Sequence, residues 1–143
     1  MAIEFSSKTI LYSELSNFHY APFVLKDLVW PTVEHYFQAQ KFPTDPTFQE
    51  LIRNTETPAS AKKLGRTKSP HFRQDWEDVK EMVMLEALQA KFEQNRDLTI
   101  ILKSTGTLHL KEKAAWDSYW GTGKTGNGKN RMGELLMIVR QGL

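Results

Sequence analysis

The chain has 143 residues, 40% hydrophobic and 11% aromatic, enough for one well-packed domain and too few for two. Its net charge of +2 selects neither nucleic acid nor membrane, so any anion recognition has to be local. The absence of cysteine excludes a disulfide scaffold and a thiolate metal site, and fits a reducing cytosol. The first twenty residues lack a basic segment followed by an apolar run, and no apolar stretch approaches the roughly 18–20 residues that span a bilayer. The expectation is a soluble, cytoplasmic single domain over residues 1–143, without a membrane partner.

In chain order, residues 3–12 read as a short strand or hairpin broken at Ser6-Ser7, and Ser16-Asn17-Phe18 as a loop. Phe23-Val24-Leu25, Lys26-Asp27 and Leu28-Val29-Trp30 read as apolar, turn, apolar: a small hairpin. The stretch it feeds, Trp30-Pro-Thr-Val-Glu-His-Tyr-Phe-Gln-Ala-Gln-Lys-Phe42, reads as a helix. Thr32 is its N-cap, and Pro43 stops it by offering no N–H and pushing Phe42 out of the α region. Glu34, Gln38 and Lys41 are spaced i, i+4, i+7 and so share one face. A carboxylate, an amide and an amine on a helix otherwise aromatic or small are either its solvated side or the floor of a site.

Two short helices follow, Pro46 to Asn54 and Pro58 to Leu64, each with Pro in its first turn and the second closed by Gly65 as a C′ residue. Asp75 to Gln94 is the strongest helix, with Trp76, Val79, Met82, Val83, Leu85, Ala87, Leu88 and Phe92 as its core stripe. Asn95 caps a short helix through Leu102, Leu108 and Leu110 alternate like a strand, and a last helix runs from about Arg131 to Arg140. The class is α+β: mostly helical, with a small antiparallel sheet.

Asp117 to Asn130 is glycine-rich. Its Gly-Thr-Gly-Lys-Thr is not a P-loop, since Ser118 stands where the first glycine belongs and no apolar strand precedes it. Gly121, Gly123 and Gly126 match G-x-G-x-x-G without a strand–turn–helix setting or a later ribose-binding acid. The loop is either a flexible surface segment or an anion nest ahead of a helix N-terminus, with Lys124 or Lys129 adding charge. His19, His35, His71 and His109 show no metal-ligand spacing. Trp30, Trp76 and Trp116 read as core; Trp120, beside the glycines, suits stacking on a base. Asp117 is a surface carboxylate or the second acid of a glycosidic site, and Arg66 a solvated C-terminal cation or a phosphate clamp.

Taken together, the ordered motifs resemble the YbiA-like (NADAR) family. They are Ser16-Asn17-Phe18, Trp30 to Phe42, Gly65-Arg66, Asp75-Trp76 leading to Met84, and Lys91-Phe92-x-Gln-Asn95. Glu112, Asp117, Trp120-Gly-x-Gly, Gly128-x-Asn130, Gly133 and Leu136-Met137-x-Val-Arg140 complete the set, which covers nearly the whole chain. The resemblance implies an N-glycosidase acting on a small phosphoribosyl-pyrimidine of early riboflavin synthesis. The bond cut joins ribose 5-phosphate to the amino nitrogen of the base. No metal or organic cofactor is implied, and nucleic acid enters only as an ADP-ribosylated base. ADP-ribosyl hydrolysis at guanine and a non-catalytic ADP-ribose or nucleotide-binding module are the alternative readings.

The resemblance also implies a site. A catalytic lysine is expected, and Lys41 is the one in the motif: desolvated against Phe37 and Phe42, it would attack the anomeric carbon and give a Schiff base. Glu34 would shuttle protons, and Asp117 would orient the sugar or activate water. The substrate-binding set is Asn17, Phe18, Gln38, Arg66, Trp76, Trp120, Gly121, Gly123 and Asn130, with Trp120 and Phe18 against the base. Arg66, the glycine loop and Asn130 would hold phosphate. The opposite assignment, Glu34 or Asp117 activating water while Lys41 binds phosphate, is physically allowed.

Overall fold

The computed structural model describes residues 1–143, and the chain forms two compact units, residues 20–94 and residues 1–19 with 95–143. The class is α+β and mostly helical, as expected. No helix is long and apolar enough to cross a membrane.

The 20–94 unit begins with the expected hairpin, β2 (Phe23–Leu25) antiparallel to β3 (Leu28–Trp30), Val24 facing Val29. Lys26 and Asp27 both have positive φ, 55° and 65°, the geometry of a tight turn whose twist matches the strands. Both edges of the ribbon are closed by side chains. The Gln94 amide exchanges two hydrogen bonds with the Val24 backbone, and Arg53 donates to the Val29 carbonyl.

Helix α1 (Val33–Ala39) starts at Thr32, whose hydroxyl accepts from the His35 N–H, and every one of its residues is buried. A seven-residue helix is not stable alone; this one is held by its neighbours. His35 is fixed at both ring nitrogens, Nδ1 to the Thr32 hydroxyl at 2.8 Å and Nε2 to the Thr55 carbonyl at 3.0 Å. The Tyr36 hydroxyl donates to the Glu86 carboxylate, and burial pushes its pKa up.

Helices α2 (Pro46–Arg53) and α3 (Pro58–Leu64) match expectation, capped by Asp45 and Thr57. Gly65 does not play the part expected of it. Its φ is −63°, right-handed, so conformation does not require glycine. Space does: a Cβ there would sit 1.8 Å from Gln38 Oε1. Helix α4 (Trp76–Gln94) buries Trp76, Val83, Met84, Ala87, Leu88, Lys91 and Phe92. Met82, expected inside, is 71% exposed, and Met84 takes the inner position four residues from Leu88.

In the other unit, β1 (Ala2–Phe5) pairs in parallel with β4 (His109–Glu112), Ile3 opposite Leu110. The antiparallel ribbon was expected; this parallel pair was not. The strand read over residues 3–12 ends at Phe5, where the Thr9 hydroxyl and N–H bond back to the Ser6 carbonyl and turn the chain. Ile10 and Leu11 are exposed and Tyr12 has φ 65°. Helix α5 (Arg96–Ser104) follows Asn95, whose side chain makes no capping bond to it, and α6 spans Arg131–Gly142. Helix α6 presses on β4 at Gly133, where a Cβ would meet the Leu110 carbonyl oxygen at 2.0 Å.

Two outcomes follow from this packing. Gly133→Ala must lift α6 off a backbone carbonyl, so it lowers stability by about 2 kcal/mol or more in chemical denaturation; an unchanged midpoint refutes the contact. Burial lowers the His35 pKa from 6.5, so an unfolded chain binds the proton more readily than the folded one. The contribution is complete above pH 6.5 and is lost as pH falls through the folded-state pKa. The melting temperature of the protein therefore drops between pH 7 and 5, by less in His35→Gln; equal slopes refute it.

Candidate functional site

Within the 20–94 unit the sequence-derived residues Glu34, Gln38, Lys41, Arg66 and Trp76 gather around the end of α1. Glu34 and Gln38 lie one turn apart and are buried. The Gln38 Nε2 donates to Glu34 Oε2 at 2.5 Å, which fixes the amide's orientation and leaves its buried Oε1 without a protein donor, against Gly65. A buried carboxylate is tolerable only when hydrogen-bonded, and this amide meets part of that need.

Lys41 is not on the helix. The α-helix ends at Ala39, and Lys41 sits in the turn that follows, its N–H donating to the Gln38 carbonyl. Its own carbonyl accepts from the Arg73 N–H at 2.9 Å. The next residue, Phe42, is buried edge-on between Phe48 and Phe72, so the turn is clamped on both sides. The Lys41 amine stands 5.8 Å from the Phe37 ring centre and 5.7 Å from that of Trp76, two rings packed edge to face at 4.9 Å. The expected apolar wall of Phe37 and Phe42 is thus Phe37 and Trp76.

That wall governs the amine. Desolvation is the largest influence and lowers the Lys41 pKa; Glu34 raises it, Arg66 and Lys62 lower it, and Glu77 raises it. Burial and the two cations win, so the neutral amine forms at lower pH than in an ordinary lysine. Arg66 is exposed just past the α3 cap, and Lys62 is half-buried one turn earlier. Sequence reading missed Lys62 and Glu77. The i, i+4 spacing of Lys62 and Arg66 carried the signal for the first.

The remaining sequence-derived residues belong to the other unit. Asp117 Oδ1 accepts from the N–H groups of Tyr119 and Trp120, at 3.0 and 2.9 Å, so one of its oxygens organises the loop. Trp120 is half-buried and meets Tyr119 edge to face; Trp116, expected in the core, is 75% exposed. Asn17 is buried, and the Phe18 N–H donates to the Ser16 hydroxyl. Asn130 has φ 52° and spends its amide on β4, Oδ1 accepting from Glu112 N–H and Nδ2 donating to the Leu110 carbonyl.

The backbone ahead of α6 is bonded within the loop. The N–H groups of residues 128–132 donate in turn to the carbonyls of Thr122, Ser118, Gly121, Tyr119 and Trp120, so these five donors are taken up by the loop itself. Gly121 and Gly128 serve close packing instead: a Cβ on Gly121 would lie 2.9 Å from the Glu112 carbonyl oxygen, and one on Gly128 2.6 Å from that of Gly121. Gly123 adopts φ 70° against Ser118. Lys124 is exposed, and the Lys129 amine stands over the Tyr119 ring.

The sequence matches the NADAR domain model over residues 4–143. It is 46% identical to the N-glycosidase YbiA of Escherichia coli over 141 residues, 99% of this chain and 88% of that protein. It is 40% identical over 129 residues to a riboflavin biosynthesis protein of Vibrio vulnificus, covering 90% of this chain and 35% of that one. The NMR structure of E. coli YbiA superposes with a TM-score of 0.89 at 45% identity, over 99% of this chain and 84% of that one.

The charges around Lys41 yield a direct test. Since Glu34 raises the Lys41 pKa, Glu34→Gln moves the onset of Lys41 labelling by an amine reagent to lower pH, read by peptide mass spectrometry. An unmoved or upward-shifted onset contradicts the assignment.

Proposed function

This chain belongs to the NADAR domain family, and from that premise we propose that it is an N-glycosidase of riboflavin-pathway intermediates. The reaction hydrolyses the bond between ribose 5-phosphate and the amino nitrogen of the pyrimidine. The names of its relatives support the reaction type and the substrate class. The observation that carries the chemistry is the Lys41 amine, held over two aromatic rings and driven toward its neutral form, with the Glu34 carboxylate on the preceding helix.

The cleavage needs a nucleophile at the anomeric carbon, a proton for the departing nitrogen, and stabilisation of positive charge on the sugar. Lys41, neutral, supplies its lone pair to the anomeric carbon as the bond to the base nitrogen breaks. Glu34 in its acid form delivers a proton to that nitrogen, and the base leaves as a free amine. The lysine nitrogen gives up a proton to Glu34, which passes it to the ring oxygen; that oxygen departs as a hydroxyl, and a protonated Schiff base remains. Water, deprotonated by Glu34, adds to the Schiff-base carbon; its collapse returns Lys41 and releases ribose 5-phosphate. One water is consumed, and no electron is gained or lost.

Gln38 positions Glu34 through the 2.5 Å hydrogen bond and is not itself required to react. The cationic Schiff base meets the same surroundings that disfavour the ammonium, so Glu34 is its nearest compensation. Arg66, exposed beside the amine, is assigned to the phosphate, for which a planar guanidinium offers two parallel donors.

Incubation with the ribosylaminopyrimidine phosphate and borohydride tests the covalent route. The expected results are free base, ribose 5-phosphate and a reduced pentose phosphate adduct on the peptide carrying Lys41, with no adduct in Lys41→Ala. Glu34→Gln slows turnover by about 10²–10⁴-fold. Turnover without any trapped adduct sinks the lysine route and leaves hydrolysis by water; an adduct on another peptide reassigns the nucleophile.

A further inference from the structure

The charged groups that bear on Lys41 come from three helices. Glu34 comes from α1, Lys62 and Arg66 from the end of α3, and Glu77 from the first turn of α4. Each carboxylate has a partner, Glu34 the Gln38 amide and Glu77 the Lys80 amine at 2.5 Å. Lys62 and Arg66 are four residues apart and therefore share one side of the α3 terminus, while Lys63 is exposed about 100° around the helix. Between them, Gly65 brings the backbone against Gln38, with no room for a Cβ. The backbone that carries the two cations is thus held against α1, which ends just before Lys41.

We propose that Lys62 joins Arg66 in holding the phosphomonoester of the substrate, and that Lys62 sets the preference for a phosphorylated riboside over its unphosphorylated counterpart. The inference deepens the glycosidase reading and rests on it. A phosphate near neutral pH carries close to two negative charges. Arg66 alone meets one of them with a bidentate fork, and Lys62 adds the compact point charge that a second oxygen accepts. Cations at a helix C-terminus also offset the helix dipole, but Lys63 in the same last turn already does that.

The pair has an electrostatic consequence at the reacting amine. In the empty site Lys62 and Arg66 push Lys41 toward the neutral, nucleophilic form. A bound phosphate cancels that field and leaves the influence of Glu34 on the amine unopposed by those cations, which favours the cationic Schiff base formed on it. The phosphate that identifies the substrate also supports the charge created by the reaction.

Amine labelling of Lys41 against pH, with inorganic phosphate present, tests the anion site without any turnover. In the wild type the anion moves the labelling onset to higher pH. Lys62→Gln moves the onset upward without anion, and it raises the phosphate concentration needed for the response about tenfold. Lys63→Gln behaves as wild type, and Lys62→Arg retains the anion response. In turnover, Lys62→Gln raises KM for the phosphorylated riboside about tenfold with a far smaller change in kcat, and lowers kcat/KM for the unphosphorylated riboside by much less, only through the Lys41 amine. Equal losses on both ribosides, or a Lys41 profile indifferent to phosphate, overturn the proposal. A normal phosphate response in a protein that cleaves no riboside refutes the glycosidase reading and keeps the anion site.

Discussion

The contact between Gly65 and the Gln38 amide governs the candidate site. Helix α1 is short and wholly buried, so its polar residues have to be satisfied inside the protein. Gln38 satisfies Glu34 by turning its nitrogen inward, and its oxygen then faces the end of α3. Only a glycine lets α3 approach that oxygen. The same approach brings Lys62 and Arg66 near Lys41. Carboxylate, amine and cations are therefore set by one steric condition, which links a hydrogen bond inside a helix to the field at a neighbouring nitrogen.

Much of the 20–94 unit is legible in sequence because its signals are local. Thr32 caps α1, Asp45-Pro46 and Thr57-Pro58 open α2 and α3, and Lys26-Asp27 turns the hairpin. Lys41 illustrates the limit. Heptad-like spacing puts it on the α1 face with Glu34 and Gln38, yet the helix stops at Ala39, well before the clash at Pro43. The amine reaches its place through the Arg73 N–H, some thirty residues on, and through the buried Phe42 ring. Neither contact leaves a trace in the spacing of residues 30–43.

The other unit shows why composition misleads where backbone pairing decides. Glycines ahead of a helix suggest an anion nest, but a nest needs donors with nothing else to bond. Here the loop carbonyls claim those of residues 128–132, and Asn130 takes the left-handed φ at the head of α6. The parallel partner of β1 lies more than a hundred residues away in the chain, a pairing that periodicity within either strand cannot encode. Asp117 was legible as a functional type of residue but not as a loop organiser, because the N–H groups it accepts belong to a turn no motif specified.

What distinguishes Lys41 from an ordinary ion-paired lysine is the order of the influences on it. A carboxylate beside an amine normally holds the proton on the amine, which would make Glu34 and Lys41 a salt bridge and nothing more. Desolvation by Phe37 and Trp76 outweighs Glu34, and two cations act in the same direction as the rings. The net effect of these influences on the amine is a lowered pKa despite the carboxylate. Glu34 stays within electrostatic reach of the amine, tied to the Gln38 amide. An arrangement selected only for stability would let the pair close or replace both charges with apolar groups. Lowering the pKa of an amine beside a carboxylate is unfavourable for folding and useful for proton transfer, and the proposed chemistry uses that imbalance.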